Sequence, residues 1–213
     1  MTEEVKRRYH APQRAEQATA RRASLVDAAA KLFAEHGYAA TTMPAIADRA
    51  GVSLRTAHAA FGTKSRLLRA VWDRALKGDL GEEPMADRPW YLEVLEQPDP
   101  HRQLELVARH SRIVKERIGP ILKVIRGGAE TEPDLAELWE LIQSDFRTNQ
   151  KAIVESLAAK GALRDSLDVE RGADILWTLN NPDVWLLLVD RRGWSPAQWE
   201  AWFLDAAGNQ LIG

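Results

Sequence analysis

Apolar residues recur at intervals of three and four along most of the chain, and this spacing predicts a run of helices. From about Arg21, the residues Leu25, Ala29, Leu32 and Phe33 share one helical face. Gly37 should end that helix, because glycine readily takes the left-handed backbone that closes a helix. Thr41-Thr42 opens a second helix. A threonine cap accepts a hydrogen bond from a free backbone N–H, and Pro44 in the first turn removes no intrahelical donor. Met43, Ile46, Ala47 and Ala50 face inward, and Gly51 stops the helix after barely two turns. Ser53 caps a third piece that turns Val52, Ala57 and Phe61 inward before Gly62-Thr63 breaks it. A longer helix follows, with Leu67, Leu68, Val71, Trp72, Ala75 and Leu76 on its apolar side.

Residues 78 to 100 are rich in Gly, Pro and acidic side chains and predict a long connector holding one helical turn around Trp90-Tyr91-Leu92. Leu104, Val107, Ser111, Val114 and Ile118 mark a helix that should end at Gly119-Pro120, with a short apolar piece, Ile121 to Ile125, stopping at Gly127-Gly128. Thr131-Glu-Pro-Asp134 has the form of a helix start. The stripe behind it runs Leu135, Leu138, Trp139, Ile142, Phe146, Asn149, Ile153 and Leu157, and Gly161 ends it. Further helices are expected from about Asp168 to Leu179, from Asn181-Pro182, and from Ser195-Pro196, the last with Trp199, Trp202, Phe203 and Ala206 on one side. No sustained two-residue alternation occurs, so the fold class is all-α.

Two short helices joined by a tight glycine turn, with a small residue at the crossing and a hydroxyl cap on the second, form the pattern of a DNA-binding helix-turn-helix. Here they run from Thr42 to Ala50 and from Leu54 to Ala60. Leu54, Arg55, Thr56, His58 and Ala59 are left facing outward, and Arg55 has the reach to bond a guanine edge through both guanidinium nitrogens. An exposed helix with merely solvated Arg and His side chains would show the same spacing.

Charge separates along the chain in a way that favours the nucleic-acid reading. Residues 1 to 70 carry 12 Lys and Arg against 6 Asp and Glu, while the remainder carries 17 against 25, for a total of -2 over 213 residues. All eight tryptophans lie in the acidic part, beginning at Trp72. A basic end on an acidic body places an anionic partner at one end only. There are no cysteines, which excludes disulfides and thiol chemistry and suits a cytoplasmic protein. No apolar run is long enough to span a membrane, and the polar N-terminus is no secretory signal. His, Asp and Glu never fall into metal-ligand spacing, and there is no nucleophile elbow or phosphate-cradling loop, so neither an enzyme nor a cofactor is expected.

The phrase Leu25-Val-Asp-Ala-Ala-Ala-Lys-Leu-Phe-Ala-Glu-His-Gly-Tyr38, with Thr41-Thr42, Ile46-Ala47, Ala50-Gly-Val-Ser53, Thr56, Phe61, Lys64 and Leu67-Leu68, resembles the N-terminal signature of the TetR family of bacterial transcriptional regulators. Asn181-Pro-Asp-Val-Trp185 and Arg192-Gly-Trp-Ser-Pro196 resemble a subgroup of that family. The resemblance implies a homodimer on double-stranded operator DNA, each subunit joining a three-helix DNA-binding domain to a larger helical domain that binds a small-molecule effector and dimerises. Repression is the usual behaviour in that family.

The implied division is a basic flexible arm or ordinary mobile terminus at 1–18, a DNA-binding domain at 19–62, and an effector-binding and dimerisation domain at 63–213. The resemblance places Thr42, Ser53, Leu54, Arg55, Thr56, His58 and Lys64 at the DNA, with Arg55 on bases and Thr42, Thr56, His58 and Lys64 on phosphates. His58 replaces a frequent tyrosine, and Pro44 stands where a polar residue is common. Polar residues on apolar stripes need buried partners. This marks Ser111, Asn149 and Asn180, with His110, Trp139 and Trp177 beside them, as candidates for an effector pocket. The aromatic content of the last helices marks Trp185, Trp199, Trp202 and Phe203, within 168 to 211, for the dimer interface.

Overall fold

A computed structural model describes the backbone of residues 3–78 and 87–213, with side chains from residue 15 onward. Its regular elements are α1 (Glu3–Ala40), α2 (Met43–Arg49), α3 (Leu54–Phe61), α4 (Lys64–Lys77), α5 (Pro89–Glu96), α6 (Pro100–Gly128), α7 (Pro133–Ala159), α8 (Val169–Leu179), α9 (Pro182–Trp185) and α10 (Pro196–Leu211). A π-helical turn, Leu186–Arg191, continues α9. One isolated antiparallel bridge pairs Leu163 with Ile212 near the end of the chain. The fold is all-α, as the periodicity predicts.

Three stretches differ from the sequence reading. The segment expected as a basic arm is helical from Glu3 onward, while Met1 and Thr2 lie outside the described residues. The connector contains two turns of helix, α5, because Tyr91 and Val94 both find buried positions; its residues 79–86 lie outside the described residues. The expected stop at Gly119-Pro120 is absent, and α6 runs through it for 29 residues. A proline disfavours helical backbone in the residue before it largely through that residue's Cβ, which Gly119 lacks. Burial of Ile118, Ile121, Leu122 and Ile125 on both sides of the proline offsets the lost hydrogen bond.

Two apolar cores form. The first joins Leu25, Phe33, Ile46, Ala57, Leu67 and Leu68 from α1 to α4 with Ile121, Leu122 and Ile125 of α6 and Leu135 of α7. The second gathers Leu104 and Val107 of α6, Ile153 and Leu157 of α7, Leu176 of α8, and Trp199 and Phe203 of α10. The boundary expected at 62/63 therefore falls inside the first core, because α4 packs with α1 as well as with α6. Helices α6 and α7 each pass through both cores. Where α8 lies on α7, Gly172 makes the close approach possible: a Cβ there would sit 2.8 Å from Val154 Cγ1.

Candidate nucleic-acid interface and the cavity behind it

Helix α3 has only eight residues, too few to be stable alone in water. Its neighbours hold it at both ends. Gly51, at φ +67°, makes the turn before it, and Val52 N–H donates to Ala47 O at 3.0 Å across that turn. The Ser53 hydroxyl caps the helix by accepting from Thr56 N–H at 3.1 Å, and the Ser53 and Thr56 hydroxyls lie 2.8 Å apart. Ala57 and Phe61 are buried beneath it. From α1, Ser24 donates to Ala50 O at 3.0 Å. Arg22 donates to Ala60 O at 2.5 Å, with its guanidinium 4.3 Å from the centre of the Phe61 ring.

Helix α2 is fixed in the same way. Thr42 caps it by accepting from Ala45 N–H at 3.3 Å. Arg49 reaches back to α1 and donates to both oxygens of Glu35, at 2.6 and 2.9 Å. That pairing holds the Glu35 carboxyl below its ordinary range and raises Arg49.

On the opposite side of α3, Leu54, Arg55, His58 and Ala59 are exposed, Leu54 at 40%. Among the described residues the Arg55 guanidinium makes no hydrogen bond or ion pair, so its donors remain for an external acceptor. His58 Nδ1 pairs with Gly62 O at 2.9 Å, which leaves Nε2 facing out. Lys64 stands apart from this face. Its ammonium donates to Tyr38 O at 2.9 Å and lies 3.9 Å from the centre of the Tyr38 ring, half-buried.

Behind this unit, α4 to α8 enclose about 850 Å³ of empty space, including its open mouth. Trp72 and Leu76 of α4, Trp90 of α5, and Ile142 and Phe146 of α7 supply apolar wall. His110, Ser111, Asn149 and Asn180 line the same cavity. Trp139 and Trp177 do not. Trp139 packs against the first core beneath the Arg126 guanidinium at 5.5 Å. The Trp177 indole nitrogen is buried with no partner among the described residues.

Sequence reasoning missed two deeply buried polar side chains of this wall, Lys115 and Gln150, each 3% exposed. Lys115 donates to Asn180 Oδ1, and Asn180 Nδ2 donates to Ser111 Oγ at 2.9 Å and to Gln150 Oε1 at 3.1 Å. Burial pushes the Lys115 ammonium down to about 7. His110 stacks on Trp90 at 5.0 Å between ring centres, and its own burial lowers its pKa.

A sequence model described as "Bacterial regulatory proteins, tetR family" matches residues 25–71, the stretch that builds α2, α3 and their supports. Over these residues the chain is similar to the TetR family of bacterial regulators. The probable HTH-type transcriptional regulator ArpR of Pseudomonas putida is 28% identical over 180 residues, covering 82% of this chain and 84% of ArpR. Among solved structures, the SmeT–triclosan complex superposes with a TM-score of 0.73 at 22% identity, over 91% of this chain and 92% of SmeT. SmeT is described as the repressor of the Stenotrophomonas maltophilia multidrug efflux pump SmeDEF. NalD, described as the secondary repressor of the MexAB-OprM multidrug efflux pump in Pseudomonas aeruginosa, superposes at 0.68 with 19% identity, over 92% of this chain and 98% of NalD.

The matched residues are those of a TetR-type helix-turn-helix, the DNA-binding unit of that family's regulators. No helix among the described residues is long and apolar enough to cross a membrane. The residues expected at a TetR dimer interface divide sharply. Trp199 and Phe203 are fully buried and Trp185 is 5% exposed, so within one subunit all three are core. They stack on one another, Trp185 edge-on to Trp199 and Trp199 parallel to Phe203. Only Trp202 keeps a half-exposed surface, beside Trp194.

Proposed function

We propose that this chain is a repressor that grips a palindromic operator as a homodimer and lets go when a small molecule occupies the cavity. The observation that carries this reading is α4 itself. Its first residue, Lys64, holds the Tyr38 carbonyl beside the helix-turn-helix, while Trp72 and Leu76, two and three turns on, form cavity wall. A ligand that displaces Trp72 or Leu76 therefore moves the support of the recognition unit. The difference in ligand affinity between the two arrangements sets how far the equilibrium shifts. Efflux-pump repressors of the same fold, one of them solved with triclosan, support repression and small-molecule control.

At the DNA, Arg55 reads base edges and Leu54 meets a thymine methyl, while Ser53, Thr42, Thr56 and His58 fix the register on phosphates. Thr42 and Ser53 do so as helix caps, and the Ser53–Thr56 hydroxyl pair, which shares one hydrogen bond, keeps one proton for a phosphate. Lys64 acts first on Tyr38, and its remaining N–H groups serve a phosphate. The dimer face is the outer side of α8 and α10, where Ile175, Leu179 and Ala206 are half-exposed around a shallow groove and Trp202 is half-exposed on the same helix as Ala206.

The rival reading, a helical interaction protein that no longer binds DNA, leaves Arg55 and the ordered α3 without a purpose. Fluorescence anisotropy with the duplex upstream of the chain's own gene separates the two. Tight, salt-sensitive binding that exceeds binding to scrambled duplex supports the regulator. Equal, weak binding to both contradicts it.

A further inference from the structure

The cavity carries one feature that its apolar walls do not explain. Lys115 is 3% exposed, and among the described residues no carboxylate comes within ion-pairing distance of its ammonium. What surrounds the ammonium is neutral. Asn180 Oδ1 accepts from it, the Trp199 ring centre lies 4.6 Å away and the Phe146 ring centre 5.5 Å away. A buried cation without a counter-charge is costly. Asn180 cannot supply more, because both Nδ2 protons are already given to Ser111 and Gln150. Ser111 only accepts in this network, so its hydroxyl proton is unspent beside Lys115.

The other titratable groups on the wall do not neutralise the ammonium. His110 is stacked on Trp90. Asp145 is exposed. Tyr91 donates its hydroxyl proton to Asn149 O at 3.0 Å.

We propose that the cavity selects an anionic ligand, an aromatic or otherwise apolar carboxylate or comparable weak acid, whose acidic oxygens take the free N–H of Lys115 and the hydroxyl of Ser111 while its body lies between Trp72, Trp90 and Phe146. This deepens, and rests on, the reading of the cavity as the effector site. The apolar wall supplies burial for the body of such a ligand. The Lys115–Ser111 corner supplies the two donors that a carboxylate accepts side by side. Burial lowers the pKa of Lys115 with no counter-charge to oppose it, and an arriving anion restores the ammonium. A cationic ligand would face Lys115 with like charge, so the ring walls do not serve as a cage for cations here.

The test uses two pairs of shape-matched probes, benzoate with benzamide and 2-naphthoate with 2-naphthamide, titrated calorimetrically into the full chain and into Lys115→Met. Methionine keeps the volume and removes the charge, and circular dichroism checks that the variant folds. In the unaltered chain the better-fitting carboxylate should bind on the order of ten- to hundredfold tighter than its amide. Lys115→Met should abolish that preference and leave amide binding within about twofold.

An amide that binds as well as its carboxylate in the unaltered chain overturns the proposal without touching the effector reading. So does a preference that survives in Lys115→Met. Absence of binding by all four probes at millimolar concentration overturns the effector reading itself, and this inference with it.

Discussion

The Tyr38 hydroxyl donates to Asp134 Oδ2 at 2.8 Å, a bond that ties the end of α1, just past its kink at Gly37, to the first turn of α7 across 96 residues of sequence. The same tyrosine receives Lys64 on its backbone carbonyl. Burial and the neighbouring Asp134 carboxylate both raise the phenol's pKa well above its usual range. One residue thus joins the helix-turn-helix scaffold to α4 and to a helix that walls the cavity. Tyr38→Phe keeps the ring on Phe33 and removes only the hydroxyl. It should cost about 1 kcal/mol in urea unfolding and reduce the fall in DNA affinity that a ligand produces. An unaltered ligand response would show that coupling runs through α4 alone.

Arg55→Ala should weaken operator binding by about 1 to 3 kcal/mol and relax discrimination at one base-pair position per half-site. His58→Ala should weaken specific and random duplex alike and lower the salt slope by about 1. Equal weakening of both duplexes by Arg55→Ala would place Arg55 on the backbone instead.

Lys115 makes stability depend on pH in a way that can be isolated. In the unfolded chain its ammonium titrates near the ordinary lysine value, about 10.4, and in the folded chain it titrates at about 7. Between these values the unfolded state holds a proton that the folded state lacks, so unfolding free energy rises with pH, by up to about 1.4 kcal/mol per unit. Below about 7 both states are protonated and this contribution is flat. The difference between the unaltered chain and Lys115→Met, measured by urea unfolding from pH 6 to pH 10, should show that rise. A constant difference would contradict it.

Helices α8 and α10 give two contrasting substitutions. Ile175→Glu places a charge on the half-exposed outer face and should convert a dimer to a folded monomer in sedimentation. Trp199→Ala empties a fully buried site and should cost about 3 to 5 kcal/mol of stability. A dimer untouched by Ile175→Glu moves the interface elsewhere.

What the sequence conveyed and what it hid have distinct physical causes. Caps and glycine turns are local, so Thr42, Gly51, Ser53 and Gly62 could be placed from neighbours a few residues away. Pro120 misled because its effect depends on Gly119 and on burial by distant helices. The stripe of α7 was read one residue off at a critical point: Phe146, Gln150, Ile153 and Leu157 follow helical spacing, and it is Gln150, 3% exposed, that bonds inside the core, while Asn149 lies half-exposed on the cavity wall. Lys115 also fits its stripe, four residues after Ser111 and three before Ile118, so a charged residue on an apolar face was the available signal. Trp199 and Phe203 looked like interface because periodicity shows that a face is buried without showing what buries it. Arg22 and Ser24 left no trace in the pattern, since their acceptors are backbone carbonyls of Ala60 and Ala50 far along the chain.

The central claim, that α2 and α3 present a base-reading face in a two-fold pair, is tested most directly by selecting bound duplexes from a randomised pool with the full chain and sequencing them. The account predicts enrichment of an inverted repeat whose half-site centres lie one turn of DNA apart, ~34 to 36 Å, or a multiple of it, with a position in each half-site that loses its preference in Arg55→Ala. Recovery of no common sequence, or of a single unrepeated site, would contradict it.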